Sequence, residues 1–253
     1  MSDLSPGTVV GVRNGTPMVA AVDPEGGGII ASDAHPILEY TRDVYFLEDG
    51  VAVEATASGL RFADFETDRE LRPKPTRLDW SVESLERGGY PHFMLKEIFE
   101  QPTALVDTLN ATLDRAKTDA FPLAKHRASE LLLGAEELAF VACGTSWHSA
   151  LLGKYWIEKY ARIPVSVELA SEFRYRDPVL KPKTVVVGIT QSGETADTLA
   201  VLRDLKKKGV PTVAITNVRG SSISREADGT FYTAAGPEVG VASTKAFLAQ
   251  LST

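Results

Sequence analysis

Residues 182–200 read Pro-Lys-Thr-Val-Val-Val-Gly-Ile-Thr-Gln-Ser-Gly-Glu-Thr-Ala-Asp-Thr-Leu-Ala, and the reading of this stretch decides the fold. Val185 to Ile189 is a nearly unbroken apolar, β-branched run, the pattern of a strand buried on both faces of a parallel sheet. The run stops at Thr190, Gln191, Ser192 and Gly193. From Glu194 the period changes, and Ala196, Leu199, Leu202 and Leu205 recur close to the helical period. A buried strand therefore turns, through a small hydroxyl-rich loop, straight into a helix. Free backbone N–H groups, the positive end of the helix dipole and the loop hydroxyls then face one point, where an anion, above all a phosphate, fits. The same residues admit a plainer role, in which Ser192 and Thr195 only cap the helix.

The surrounding chain repeats this alternation. A helix from Ser129 to Leu133 precedes a strand from Leu138 to Ala142, and a helix carrying Trp147, Ala150, Leu151, Tyr155 and Trp156 follows. Strands at Val165–Leu169, Thr212–Thr216 and Thr230–Thr233, with a short helix after Ser221 and a last one from Ser243 to Leu251, complete the pattern. Strands alternating with helices of this length predict an α/β fold with a doubly wound parallel sheet over 129–253. Ligands of such sheets sit beyond the carboxyl ends of the strands, where the strand order switches.

Upstream the character differs. Residues 1–72 read as an antiparallel, hairpin-rich piece. Short apolar runs at Gly7–Val12, Met18–Val22, Val44–Leu47, Val51–Thr56 and Leu60–Phe65 are punctuated by Asn14-Gly15, Glu25-Gly26-Gly27-Gly28 and Asp49-Gly50. A short helix is expected from His35 to Thr41, with Asp33 as its cap rather than a ligand. Residues 73–128 read as a helical connector opened by Pro73-Lys74-Pro75 and Gly88-Gly89-Tyr90-Pro91. One helix is expected from His92 to Glu100, burying Phe93, Leu95, Ile98 and Phe99, and a second from Thr103 to Leu113, with Pro102 in its first turn. His92 and His126 read as surface or packing residues.

Composition narrows the function classes. A chain of 253 residues exceeds the usual single domain, which predicts one large domain plus part of another. Its net charge of −7 offers no basic stripe for a nucleic acid. One cysteine allows no internal disulfide and fits a reducing cytoplasm, and the four histidines show no metal-ligand spacing. The N-terminus lacks a basic-then-apolar leader, and no apolar run approaches the ~20 residues that span a bilayer. No metal, nucleic acid or membrane is therefore expected, and the expected compartment is cytoplasmic. Thr253 falls inside a helix in progress and Met1 just before a strand-like segment, the pattern of a piece of a longer protein.

Three loop-to-helix transitions share one chemistry: Cys143-Gly144-Thr145-Ser146, Thr190 to Thr195, and Gly240-Val241-Ala242-Ser243-Thr244-Lys245. Each joins a small or permissive residue to neutral hydroxyls at a helix start. Competing motifs fail. A nucleophile elbow needs glycine two residues after Ser146, where His148 stands. No Gly-x-x-x-x-Gly-Lys-Ser/Thr and no Gly-x-Gly-x-x-Gly after a strand is present. Cys143 reads as a small residue closing a strand, His148 as a surface or packing residue, and Lys245 as an exposed helical lysine rather than a charge in the pocket.

Together these segments, with Ala170-Ser171-Glu172-Phe173-Arg174-Tyr175-Arg176 and the upstream Ile30-Ala31-Ser32-Asp33 and His92-Phe93-Met94-Leu95-Lys96-Glu97-Ile98-Phe99-Glu100-Gln101-Pro102, closely resemble the glutamine–fructose-6-phosphate aminotransferase family. The resemblance runs along essentially the whole chain. Four ordered motifs are specific, whereas Ser-Gly-Glu-Thr alone would indicate only a sugar isomerase domain. It implies that 1–72 is the late part of an N-terminal-nucleophile glutaminase domain, 73–128 an interdomain connector, and 129–253 most of a first sugar isomerase domain. It implies a sugar-phosphate site at Thr145, Ser146, Thr190, Gln191, Ser192, Thr195, Val241, Ala242 and Ser243. Thr190 departs from the serine frequent there but keeps the hydroxyl. Asp33 inherits no ligand role, and the resemblance implies no metal or organic cofactor.

The resemblance also implies what this chain leaves out. The family's glutaminase nucleophile is an N-terminal cysteine, and here Ser2 follows Met1. Its isomerase base, ring-opening histidine and Schiff-base lysine lie in a second isomerase domain and tail, so no catalytic residue is expected in this slice, and the slice alone is expected to be inactive. The parent reaction turns fructose 6-phosphate and glutamine into glucosamine 6-phosphate and glutamate, in an enzyme that is commonly a homodimer. Two rivals use the same fold. A sugar-phosphate-sensing regulator would carry a DNA-binding helix-turn-helix upstream, and a deglycase or deaminase would lack the β-rich first 72 residues.

Overall fold

The structure, a computed structural model, describes residues 5–78, 87–113 and 127–253. It divides into two compact units, Met1–Glu86 and Arg87–Thr253. Met1, Ser2 and the connector stretch 114–126, His126 included, lie outside the described residues.

The first unit holds two antiparallel sheets. One is ordered β1 (Val9–Val12), β5 (Val51–Thr56), β6 (Gly59–Asp64), β7 (Glu70–Leu71); the other β3 (Gly28–Ala31), β2 (Val19–Val22), β4 (Asp43–Phe46), β8 (Thr76–Arg77). Alternation along β2 sends Ala20 to one face and Val19 and Ala21 to the other. Ala20 packs with Val53 and Phe62 of the facing sheet, while Val19 and Ala21 pack with Ile37, Leu38 and Leu78. The expected helix at 35–41 is only a 3-10 turn, His35–Ile37, with a further backbone bond from Thr41 N to the Ile37 carbonyl. Asp49 ties the two turns signalled by glycine: its Oδ1 accepts from Arg13 Nε at 3.2 Å and from Gly15 N at 2.9 Å, and Arg13 is buried.

The second unit is built on a five-stranded parallel sheet ordered β10 (Val165–Leu169), β9 (Glu137–Ala142), β11 (Thr184–Thr190), β12 (Thr212–Thr216), β13 (Gly229–Tyr232). The three strands expected to be parallel, ending at Ala142, Ile189 and Thr216, are so paired. Every residue of β11 is buried. Val186 faces α5 (Ala196–Lys207), α4 (Ala170–Arg176) and α6 (Ser222–Glu226) with Leu199, Leu202, Phe173 and Ile223. Val185, Val187 and Ile189 face α2 (Arg127–Leu133) and α3 (Gly144–Tyr160) with Ala128 and Ala150. Gly188 lets α5 approach closely, since a Cβ there would lie 2.8 Å from Leu202 Cδ1. The chain steps from β9 to β10 on one side and to β11 on the other, so the order switches between β9 and β11. That crevice is where a ligand of this fold binds.

The connector differs from expectation in two respects. α1 is one helix, Phe93–Thr112, running through Pro102. Proline has no N–H for the Ile98 carbonyl, and the Gln101 side chain supplies the missing donor at 2.9 Å. The apolar residues expected inside, Leu95, Ile98 and Phe99, are exposed, whereas Lys96, Glu97, Ala104 and Thr108 are buried. The reason is the partner: Ala104 meets Ala235, Ala246 and Ala249, so α1 rests on α7 (Lys245–Ser252) through small residues. Among the described residues no helix is long and apolar enough to cross a membrane.

Candidate functional site at the strand switch

The loops after β9 and β11 emerge side by side, because Ala142 pairs with Ile189 in register. After β11 the chain makes a compact turn. Thr190 and Thr195 bring their hydroxyl oxygens within 2.7 Å, and the Thr190 hydroxyl also accepts Gly193 N at 3.3 Å. Ser192 Oγ accepts Glu194 N at 3.1 Å. Gly193 takes a left-handed φ of 72°, and a Cβ there would lie 2.1 Å from Ser221 Oγ, so only glycine fits. Gln191 is anchored through its carbonyl, which accepts Asn217 N at 3.1 Å, while its side-chain Nε2 is buried with no hydrogen-bond partner. Thr198, in the first turn of α5, also buries a hydroxyl without a partner.

These bonds bear on the capping reading. Thr195 occupies the N-cap position of α5, and its side chain makes no cap hydrogen bond. The Thr195 hydroxyl turns back to Thr190, and Ser192 serves only the loop's own Glu194 N–H. The N-cap side chain therefore leaves the dipole end of α5 open toward the turn.

The neighbouring turn after β9 is similar. Gly144 has φ 56°, which allows the strand to pivot into α3, and Cys143 makes no side-chain cap. Thr145 is half-buried and Ser146 buried. Ser146 Oγ accepts Gln250 Nε2 at 2.9 Å, which leaves its proton free to donate. Ser149 Oγ lies 3.0 Å from Gln250 Oε1, so α7 is latched to α3. His148 is exposed and stacks edge-on against Trp147.

The third transition differs from the other two. The carboxylate of Glu238 accepts Thr244 N at 2.7 Å and Ala246 N at 3.2 Å, so the start of α7 already holds an anion. Val241 and Ala242 are exposed and Ser243 donates to Glu238 at 3.0 Å. Lys245, expected to be an exposed lysine, is 4% exposed and pairs with Glu100 at 2.6 Å. Asn217, which the sequence reading passed over, clamps the segment before this loop: its Oδ1 accepts Thr233 Oγ1 at 2.9 Å and Ala235 N at 3.0 Å. Its place directly after β12 was the available signal.

An apolar cavity of about 240 Å³ opens elsewhere, over Phe140, Val187, Val213 and Phe231, and the hydroxyls of Thr190, Ser192 and Thr195 do not line it. Among the described residues no cluster could hold a metal ion.

Residues 131–253 match the model of the SIS domain. The chain is 44% identical, over all of its length, to the isomerizing glutamine–fructose-6-phosphate aminotransferase of Clostridium acetobutylicum, of which it covers 41%. It is 48% identical over 98% of its length to the enzyme of that name from Mycobacterium leprae, of which it covers 39%. A solved structure, the C-terminal domain of glucosamine-fructose-6-phosphate aminotransferase from Francisella tularensis, aligns with a TM-score of 0.62 and 50% identity, over 66% of this chain and 47% of that one. The chain thus spans about 40% of the length of these curated relatives. Over essentially its whole length the chain is similar to the isomerizing glutamine–fructose-6-phosphate aminotransferases, and its residues 131–253 match the SIS domain.

Proposed function

We propose that the crevice between β9 and β11 binds fructose 6-phosphate, and that this chain serves the synthesis of glucosamine 6-phosphate from fructose 6-phosphate and glutamine. The observation that carries this is the Thr190–Thr195 turn: hydroxyls and a buried unpartnered amide gathered before an uncapped helix N-terminus. Ser192 and Thr195, with N–H groups at the start of α5, hold the phosphate. Thr190 and Gln191 shape that cradle, and Thr145, Ser146 and the segment Val241, Ala242, Ser243 surround the sugar. These are binding and orienting roles. The chemistry of ammonia release, ring opening and isomerisation is assigned to parts of the longer enzyme.

Residues 1–72 serve as the late part of the glutaminase domain and 73–128 as the connector. Identity to the aminotransferases over the whole chain, the β-rich first unit included, favours this reading over a sensor or a deaminase with the same sheet. The enzyme so formed is a cytoplasmic homodimer.

The test is calorimetric titration of fructose 6-phosphate into the chain and its Ser192→Ala variant, beside their melting curves. A hydrogen bond to a charged group is worth about 1.5–3 kcal/mol, so affinity is expected to fall roughly 10- to 100-fold. Unchanged affinity with a lowered melting temperature would leave Ser192 a structural residue only.

A further inference from the structure

We infer that Glu97 of α1, which lies outside the segment matching the SIS family, is a positioning residue for the sugar site; the inference rests on the function proposed above. Glu97 is 2% exposed on a helix that exposes Leu95, Ile98 and Phe99. Its Oε1 accepts Val239 N at 2.7 Å and Gly240 N at 2.9 Å, and its Oε2 lies 3.1 Å from Thr244 Oγ1. One carboxylate therefore grips both ends of the turn that carries Val241, Ala242 and Ser243. The fit is close, since a Cβ on Gly240 would lie 2.6 Å from Glu97 Oε2.

A buried carboxylate is costly unless its oxygens are fully hydrogen-bonded, and here the loop's own N–H groups satisfy it. The loop gains the converse: its backbone donors are taken by α1 rather than by water. A second contact from α1 has the same sense, because Thr108 Oγ1 accepts Ala234 N at 3.1 Å. The phosphate turn at 190–195 takes no bond from Glu97. Glu97 thus sets the place of the sugar-side wall while leaving the phosphate cradle alone.

The experiment titrates fructose 6-phosphate, and separately inorganic phosphate, into the full chain and its Glu97→Ala and Glu97→Gln variants. Glu97→Ala is expected to weaken fructose 6-phosphate binding at least about tenfold, as loss of charge-assisted bonds implies, and to leave inorganic phosphate within about threefold. Glu97→Gln keeps an oxygen for Val239 and Gly240 and is expected to restore most of the sugar-phosphate affinity. If Glu97→Ala does not fold, Gly240→Ala displaces the same carboxylate from the loop side and is expected to reproduce the selective loss. Unchanged fructose 6-phosphate affinity, or an equal loss for both ligands, overturns the inference. Failure of the unaltered chain to bind fructose 6-phosphate would instead overturn the underlying function, and this inference with it.

Discussion

The hydroxyl oxygens of Thr190 and Thr195 lie 2.7 Å apart, although one residue closes a strand and the other opens a helix. Two hydroxyls carry two protons, and one is spent on their mutual bond. The other can donate outward, toward the uncapped start of α5. Thr195→Val keeps the shape of the side chain and removes one of the two hydroxyls, and with it the mutual bond. Fructose 6-phosphate affinity should drop about tenfold, while stability falls by no more than about 1 kcal/mol, the net worth of a neutral hydrogen bond. Titration and denaturant unfolding of the variant check both figures. A loss of stability with intact affinity would make the threonine pair a strut.

Gly193 should tolerate no side chain. Its φ of 72° strains an alanine, and the added Cβ would sit 2.4 Å from Ser221 Cβ. Strain and overpacking together predict a cost of about 2–4 kcal/mol for Gly193→Ala in urea unfolding. Adding Ser221→Gly should recover the steric share and leave the backbone share. Equal stabilities of the single and double variants would show that the turn relaxes around the methyl group.

On the opposite surface, Lys208 holds the exposed Asp177 carboxyl below its ordinary value, first through a side-chain hydrogen bond and then through its charge. A carboxyl lowered in the folded state adds stability above its unfolded value, and that contribution is lost as pH falls through the folded one. Lys208→Met should raise the Asp177 titration toward the ordinary value, and salt should do the same to the unaltered chain. NMR titration of Asp177 reads the shift. No movement in the variant would mean the pair is not formed in solution.

The architecture was legible where burial is symmetrical. Val185, Val186, Val187 and Ile189 announce a strand covered on both faces, and the hydroxyl loop after them announces the turn into α5. The connector was not legible, and the reason is physical. Leu95, Ile98 and Phe99 look like the inward face of α1, yet the helix meets the alanines of α7 and buries Glu97 and Lys96 instead. A buried acid is written in sequence like a surface acid; only the loop bonds it accepts tell them apart. Lys245 misleads in the same way until Glu100 is seen beside it. Pro102 suggested a helix break because the compensating Gln101 amide is a side-chain effect that no periodicity records.

The central claim concerns where a sugar phosphate sits, and the structure of this chain bound to fructose 6-phosphate tests it most directly. The phosphorus should lie before the N-terminus of α5, with phosphate oxygens within hydrogen-bond distance of the Ser192 and Thr195 hydroxyls and of at least one N–H of that helix. The sugar should extend toward Ser146 and the Val241–Ser243 segment. A phosphate bound at another strand end, or density only in the apolar cavity over Phe140 and Phe231, would contradict the account.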